Sequence, residues 1–201
     1  MKKFCLFFCI IFTCIIKVFP QYVINGEEYE FRTRNLPQSE VNDIIQDKYG
    51  FIWIATLDGL YRYDGYEYKA YLSDGQEGAI STNMILSLDI DSYNNLWVGT
   101  YGRGLSRFDY ETGEFINFPI EILINRKDLK GGDITAVMVD SQNDIWIGMN
   151  YGLLKIKFDH KENIITERHF FEVEGNASSD AIKDIYQDVY GNIFLMVEFN
   201  L

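Results

Sequence analysis

The sequence predicts an all-β chain, a partial β-propeller of about three complete four-stranded blades plus an incomplete fourth. Three observations predict it. A turn-and-strand unit recurs at blade length. The strand after each turn is apolar without alternation. Beyond the first twenty residues, no helical periodicity runs long enough to compete.

The first unit runs from Asp47 through Gly50 and Ile52-Trp53-Ile54 to Thr56, and the second from Asp91 through Asn94 and Leu96-Trp97-Val98 to Thr100. The third runs from Asp140 through Asn143 and Ile145-Trp146-Ile147 to Gly148. The fourth, Asp188 to Met196, places Phe194 in the Trp slot. In every copy Asp stands six residues before the aromatic, and Gly or Asn stands three before it. The aromatics at 53, 97, 146 and 194 are spaced by 44, 49 and 48 residues, the length of one propeller blade.

Each part of the unit has a physical reading. Asp or Asn bonds its own backbone two residues on, and Gly or Asn tolerates positive φ, so Asp-x-x-Gly/Asn predicts a tight hairpin turn. Continuous apolar character in the next strand predicts burial on both faces, as in a blade packed between two neighbours. Trp53, Trp97 and Trp146 are therefore expected in the core. The small residue two after each Trp (Ala55, Gly99, Gly148) permits close approach of another backbone. A turn glycine follows (Gly59, Gly104, Gly152), then a third strand closing on Asp64, Asp109 or Asp159.

The expected strands are 41–46, 51–56, 60–64 and 66–72 in the first blade, and 85–90, 95–100, 105–109 and 114–118 in the second. They are 134–139, 144–148, 153–158 and 164–171 in the third, then 182–187 and 192–197 in the fourth. The repeats thus occupy 41–72, 85–118, 134–171 and 182–201. A β-sandwich would explain the strands but not the repeated spacing.

Residues 1–20 read as an export signal or N-terminal anchor: Lys2 and Lys3 precede an apolar run from Phe4 to Ile16, which is short for a membrane span. Cys5, Cys9 and Cys14 all lie inside it, so the remainder has neither a disulfide framework nor a thiol nucleophile. Residues 21–40 form a lead-in, with an alternating strand expected at 29–34 that could complete a last blade. Loss of Lys2, Lys3 and Lys17 with the signal would take the net charge from −12 to −15. Such a chain lacks the basic footprint of a nucleic-acid binder.

Catalytic and metal chemistry find little support. His160 and His169 have no convergent partners in sequence, and no cofactor or metal site is expected. Asp47, Asp91, Asp140 and Asp188 could be repeated calcium ligands, but their regular place at hairpins favours turn capping. No Ser-His-Asp order and no phosphate-binding glycine loop is present.

The run Ile45 to Thr56 with Asp58-Gly59-Leu60-Tyr61-Arg62-Tyr63-Asp64-Gly65 resembles the two-component regulator propeller repeat. Gly102-Arg103-Gly104-Leu105-Ser106-Arg107-Phe108-Asp109 in the second copy, followed by Thr112-Gly113, carries the same likeness. The resemblance implies a non-enzymatic periplasmic sensor of a hybrid two-component histidine kinase, exported and in some cases anchored in the inner membrane. Such sensors carry more blades, then an immunoglobulin-like domain, a membrane helix and a kinase. This chain therefore reads as an N-terminal piece, whose partners would be the remaining blades or another copy of itself. Membrane contact would come only through an uncleaved N-terminal segment.

Propeller loops between second and third strands share a face with those joining one blade to the next. The former hold Asp58, Tyr101, Arg103, Asn150 and Tyr151, the candidate ligand-face residues; the latter are 73–82, 119–133 and 172–180. Arg and Tyr on rigidly placed loops suit an oligosaccharide or carboxylate. The alternatives are a propeller lactonase or lyase, with Asp43, Asp89 and Asp184 as channel ligands, and a non-catalytic scaffold or adhesin repeat.

Overall fold

A computed structural model describes residues 21–24, 27–30, 40–125, 132–150, 152–172 and 181–198. The chain divides into two units, Met1–Pro37 and Gln38–Leu201. In the first, β1 (Gln21–Ile24) pairs antiparallel with β2 (Glu27–Glu30). Of the strand expected at 29–34, Tyr29 and Glu30 end β2, and 31–34 lie outside the described residues. The export segment, 1–20, lies outside them as well.

The second unit is a series of antiparallel meanders. Blade 1 comprises β3 (Val41–Gln46), β4 (Ile52–Thr56), β5 (Gly59–Tyr63) and β6 (Tyr68–Tyr71). Blade 2 comprises β7 (Ile85–Ile90), β8 (Leu96–Thr100), β9 (Gly104–Phe108) and β10 (Phe115–Phe118). Blade 3 comprises β11 (Ile134–Val139), β12 (Ile145–Met149), β13 (Gly152–Asp159) and β14 (Ile164–Glu172). Blade 4 shows two strands among the described residues, β15 (Ala181–Gln187) and β16 (Ile193–Glu198). The fold is an all-β partial propeller.

The turn aspartate does more than shape its hairpin. Asp47 Oδ1 accepts the N–H groups of Tyr49 and Phe51 at 2.9 and 3.0 Å, while Oδ2 accepts the indole Nε1–H of Trp53 at 2.9 Å. Asp91 does the same for Tyr93, Asn95 and Trp97, and Asp140 for Gln142, Asp144 and Trp146. The three carboxylates are buried, and hydrogen bonds to an ionised acceptor contribute about 1.5–3 kcal/mol each. The six-residue spacing is the distance around the hairpin at which one carboxylate spans both donor sets. Gly50, Asn94, Asn143 and Gly191 sit in the left-handed region, at φ of 88°, 69°, 68° and 86°. In the fourth copy the Phe194 side chain has no N–H to give, and Asp188 Oδ2 accepts from Asn192 Nδ2 at 2.8 Å, as Asp91 Oδ2 accepts from Asn95 Nδ2 beside its indole.

Each tryptophan faces the following blade. Trp53 packs on Tyr71 and on Phe108 of β9, with ring centroids 5.2 and 5.0 Å away. Trp97 packs on Phe118 and on Phe158 of β13, at 6.0 and 5.1 Å. Both are fully buried. Trp146 departs from expectation: it is only half-buried, stacked on Phe171 with Lys155 over its ring at 4.8 Å. Its two counterparts each meet a third-strand Phe from the next blade, and blade 4 offers no such strand among the described residues.

The small residue beyond each Trp is explained by the same joint. A Cβ on Gly99 would lie 2.8 Å from Ile134 Cγ2, and one on Gly148 would lie 2.7 Å from Ile182 Cγ2. The notch admits the incoming isoleucine of the next blade. At the equivalent point in β16 stands Met196, exposed.

Polar staples cross every joint. The N–H after each turn aspartate is received by the next blade: Lys48 donates to Asn94 Oδ1, Ser92 to Asn143 Oδ1 and Ser141 to Gln187 Oε1, all at 2.8 Å. On the first strands, Leu88 N–H donates to Asp43 Oδ2 at 2.7 Å, Val137 N–H to Ser87 Oγ at 3.0 Å and Val139 N–H to Asp89 Oδ2 at 2.6 Å.

The connection expected as loop 119–133 contains a short helix, α1 (Ile120–Ile124), which corrects that reading for its first part. Pro119 leads into it and Asn125 ends it in the left-handed region at φ 57°. The turn forms because it buries Ile120, Leu123 and Ile124 in the blade 2–blade 3 core.

Two predictions follow from these contacts. Trp97→Ala should lower stability by about 3–5 kcal/mol, and Trp146→Ala by clearly less, in urea unfolding of the full chain. The second concerns pH. Burial pushes the Asp89 carboxyl up to about 6, against the pull of the Val139 and Ile90 N–H groups. An unfolded Asp titrates near ~3.9, so between about pH 4 and 6 the folded state holds a proton that the unfolded state has lost, and this contribution falls as pH rises. Asp89→Asn lacks that component. Urea midpoints should therefore shift in favour of the variant, relative to the wild type, as pH rises from about 4 to 7.

Candidate ligand faces

Within each antiparallel blade, the turns joining strands 2 and 3 lie at one end, and those joining strands 1 and 2 or 3 and 4 lie at the other. The first end carries the residues singled out from the sequence. Asp58 is exposed, and its N–H donates to Thr56 Oγ1 at 3.1 Å. Thr56 Oγ1 donates in turn to the Gly59 carbonyl at 2.8 Å, bracing the turn. Tyr101 is 49 % exposed, anchored through its N–H to the Met84 carbonyl at 3.0 Å. Arg103, in the same turn, is exposed and lines a recess of about 320 Å³ with Ser81, Asn117, Pro119, Ile120 and Glu121. Asn150 is half-buried and donates from Nδ2 to Asp133 Oδ2 at 3.1 Å. Tyr151 lies outside the described residues. The structure thus sets Tyr101 and Arg103 in one turn, with Arg103 in the lining of the recess and Tyr101 outside it. Asp58 and Asn150 occupy the matching turns of the flanking blades and are not in its lining.

The inner-strand carboxylates have other partners. Asp43 accepts Ile44 N–H at 2.8 Å through Oδ1 and Leu88 N–H through Oδ2. Asp89 accepts Ile90 and Val139 N–H, and Asp184 accepts Ile185 N–H. Two of the three join successive blades. Among the described residues, no three His, Cys, Asp or Glu side chains are grouped closely enough to hold a metal ion.

The opposite end holds a second recess, of about 400 Å³, where blades 1, 2 and 3 meet. Lys48 and Tyr49 come from blade 1, Tyr93 to Asn95, Arg107 and Asp109 to Glu111 from blade 2, and His160 from blade 3. From the sequence His160 reads as a solvent-facing or locally bonded histidine rather than a metal ligand, and Arg107 is not singled out. His160 packs at a tilt against Tyr93, with centroids 4.2 Å apart, and its Nε2 lies 3.7 Å from Asp91 Oδ2. Burial lowers its pKa, against the pull of Asp91. Tyr110 donates its hydroxyl to Asp47 Oδ2 at 2.7 Å, and burial raises its pKa well above the ordinary phenol value. The missed signal is positional: the residue four after the turn aspartate is Phe51, Asn95 or Asp144 in blades 1 to 3.

Comparison with known proteins places this architecture. The chain superposes on the extracellular domain assigned to a hybrid two component system of B. thetaiotaomicron, with a TM-score of 0.62 and 22 % identity. That match covers 85 % of this chain and 22 % of the other. It also superposes on virginiamycin B lyase from Staphylococcus aureus, with a TM-score of 0.53 and 15 % identity, over 84 % of this chain and 52 % of the lyase. In sequence it is 45 % identical to Histidine kinase P4 of Formosa agariphila over 42 residues, which is 21 % of this chain and 3 % of the kinase. The chain therefore corresponds to a small part of these regulatory relatives. The family described as Two component regulator propeller matches residues 35–58, 79–102 and 128–151. Each match covers the first two strands of one blade and the turn between them, so the chain carries three two-component regulator propeller repeats, one in each of its four-stranded blades.

Proposed function

We infer that this chain is the ligand-sensing propeller part of a two-component regulatory protein, exported and non-catalytic. The observation that carries the reading is the repeat itself: three regulator repeats form three successive blades, closed to one another by staples and shared cores. The extracellular position of the B. thetaiotaomicron domain supports export, as does the basic-then-apolar start of the sequence. The non-catalytic reading draws support from Asp43, Asp89 and Asp184. A lyase or lactonase would turn such inner carboxylates to a metal, whereas here they accept backbone N–H groups.

The ligand proposed for the Tyr101–Arg103 face is an oligosaccharide. A tyrosine ring offers an apolar face to a sugar ring, and an exposed guanidinium supplies several fixed donors to hydroxyls. The turn bearing them is held at both ends, by the Tyr101 N–H bond to Met84 and by the Thr100 Oγ1 bond to the Gly104 carbonyl at 2.6 Å. Rigid placement lowers the entropic cost of binding. Occupancy of this face would bias the packing of the blades and hence the kinase of the longer protein.

Calorimetric titration of the full chain with maltohexaose, xylohexaose and laminarihexaose tests this. At least one should bind saturably, and Arg103→Ala and Tyr101→Ala should each weaken it about tenfold. Binding unchanged in both variants would remove this face from consideration. Calcium-dependent lactone hydrolysis by the wild type would overturn the non-catalytic reading.

A further inference from the structure

We propose that the recess at the opposite end of the blades is a second ligand site, for a hydroxylated ring carrying one carboxylate, the chemistry of a sugar acid. The inference comes from comparing three equivalent basic side chains. Arg62, Arg107 and Lys155 each stand directly across from the tryptophan of their blade, paired with Trp53, Trp97 and Trp146. In blade 3 the cation is neutralised internally: Lys155 Nζ lies 2.6 Å from Asp144 Oδ2 and 3.6 Å from Asp140 Oδ2. In blade 1 the slot of Asp144 is filled by Phe51, and the half-buried Arg62 lies over its ring at 4.2 Å. In blade 2 that slot holds Asn95. Arg107 is only 6 % exposed, yet no described carboxylate lies within ion-pair distance of it; Asp109 and Asp91 act on it from farther away. Its contacts are a long bond from Nη1 to Asn95 Oδ1, at 3.4 Å, and the Phe158 ring at 5.2 Å. Its Nε finds no acceptor, and neither does Nδ2 of Asn94, which is 4 % exposed. Both side chains line the recess.

A buried cation without a close counter-ion is costly, and an entering carboxylate would relieve that cost by the bidentate geometry that guanidinium favours. Lys48 lines the same recess and adds a second positive charge. The walls define the rest of the ligand. Tyr49 and Tyr93 are 59 % and 62 % exposed and offer ring faces. Tyr49 is backed by Tyr110 at 5.4 Å and Tyr93 by His160 at 4.2 Å. Asp109 and Glu111 also line the recess, and these acceptors suit hydroxyl donors while repelling a multiply charged anion. The net charge of −12 acts in the same direction. A single carboxylate on a polyhydroxylated ring meets all of these conditions, and the volume of about 400 Å³ lies in the range of small-ligand sites.

The test is calorimetric titration of the full chain with glucuronate, with glucose and inorganic phosphate as controls. Glucuronate should bind saturably, and each control should bind at least about tenfold more weakly. Asn95→Asp reproduces the blade 3 arrangement and gives Arg107 an internal carboxylate. It should abolish glucuronate binding; the urea midpoint should fall, because the two bonds from Asn95 Nδ2 to Asp91 are lost, while the unfolding transition stays cooperative. Arg107→Gln should also abolish binding. If that variant does not fold, Tyr93→Ala, at an exposed position, should still weaken glucuronate several-fold. Arg103→Ala, at the other end of the blades, should leave it unchanged, which separates this site from the oligosaccharide face. The proposal is overturned by absence of saturable glucuronate binding, by glucose or phosphate binding equally well, or by Asn95→Asp binding like the wild type.

Discussion

The structure depends on one shared carboxylate per blade. A buried aspartate divides its two oxygens between the hairpin it shapes and the indole of the strand that follows. The local turn and the long-range core are therefore the same interaction. The turn N–H groups hold the carboxylate in place, the carboxylate sets the direction of the indole, and the indole presents its ring to the next blade. Burial makes these bonds strong and makes their loss expensive, because a stranded carboxylate would remain in the core. The fourth copy shows how the arrangement adapts. With Phe194 in the indole slot, the asparagine bond that Asp91 shares with its indole is the side-chain bond that remains, and Asp188 lies near the surface with its pKa lowered, first by that Asn192 bond.

Much of this fold was legible in the sequence. The strand expected at 85–90 is Ile85–Ile90, and that at 134–139 is Ile134–Val139. The reason is that period, turn chemistry and apolar runs all describe the same unit. The aspartate was legible only as a turn former. Its bond to the indole depends on how the hairpin folds back, which spacing suggests but does not state. Helix α1 was not legible, because Ile120-Glu121-Ile122-Leu123-Ile124 has no long periodicity and is rich in β-branched residues. It is helical because three of its side chains fill a gap between blades, a tertiary demand that overrides local preference.

The sites were less legible than the fold, for a definite reason. Tyr101 and Arg103 fall in one turn and are found together, as adjacency in sequence implies. Asp58, Tyr101 and Asn150 share that end of the blades, but of the candidates only Arg103 lines the recess. The Arg107 recess draws on three blades, and what marks it is a difference between repeats rather than a motif. Asn95 stands where Asp144 and Phe51 satisfy the equivalent cations. Repeat proteins make such differences informative, because each blade serves as an internal reference for the others.

The notch beside each tryptophan has a geometric consequence. Where Gly99 and Gly148 leave it open, an isoleucine from the next sheet drops in and fixes how tightly two vanes nest. At the corresponding point Met196 projects an exposed, flexible thioether side chain. A sheet laid against that surface would meet a bump rather than a socket. It would have to push the thioether aside or stand farther off, so a joint made on the fourth vane would differ in pitch from those made at Gly99 and Gly148.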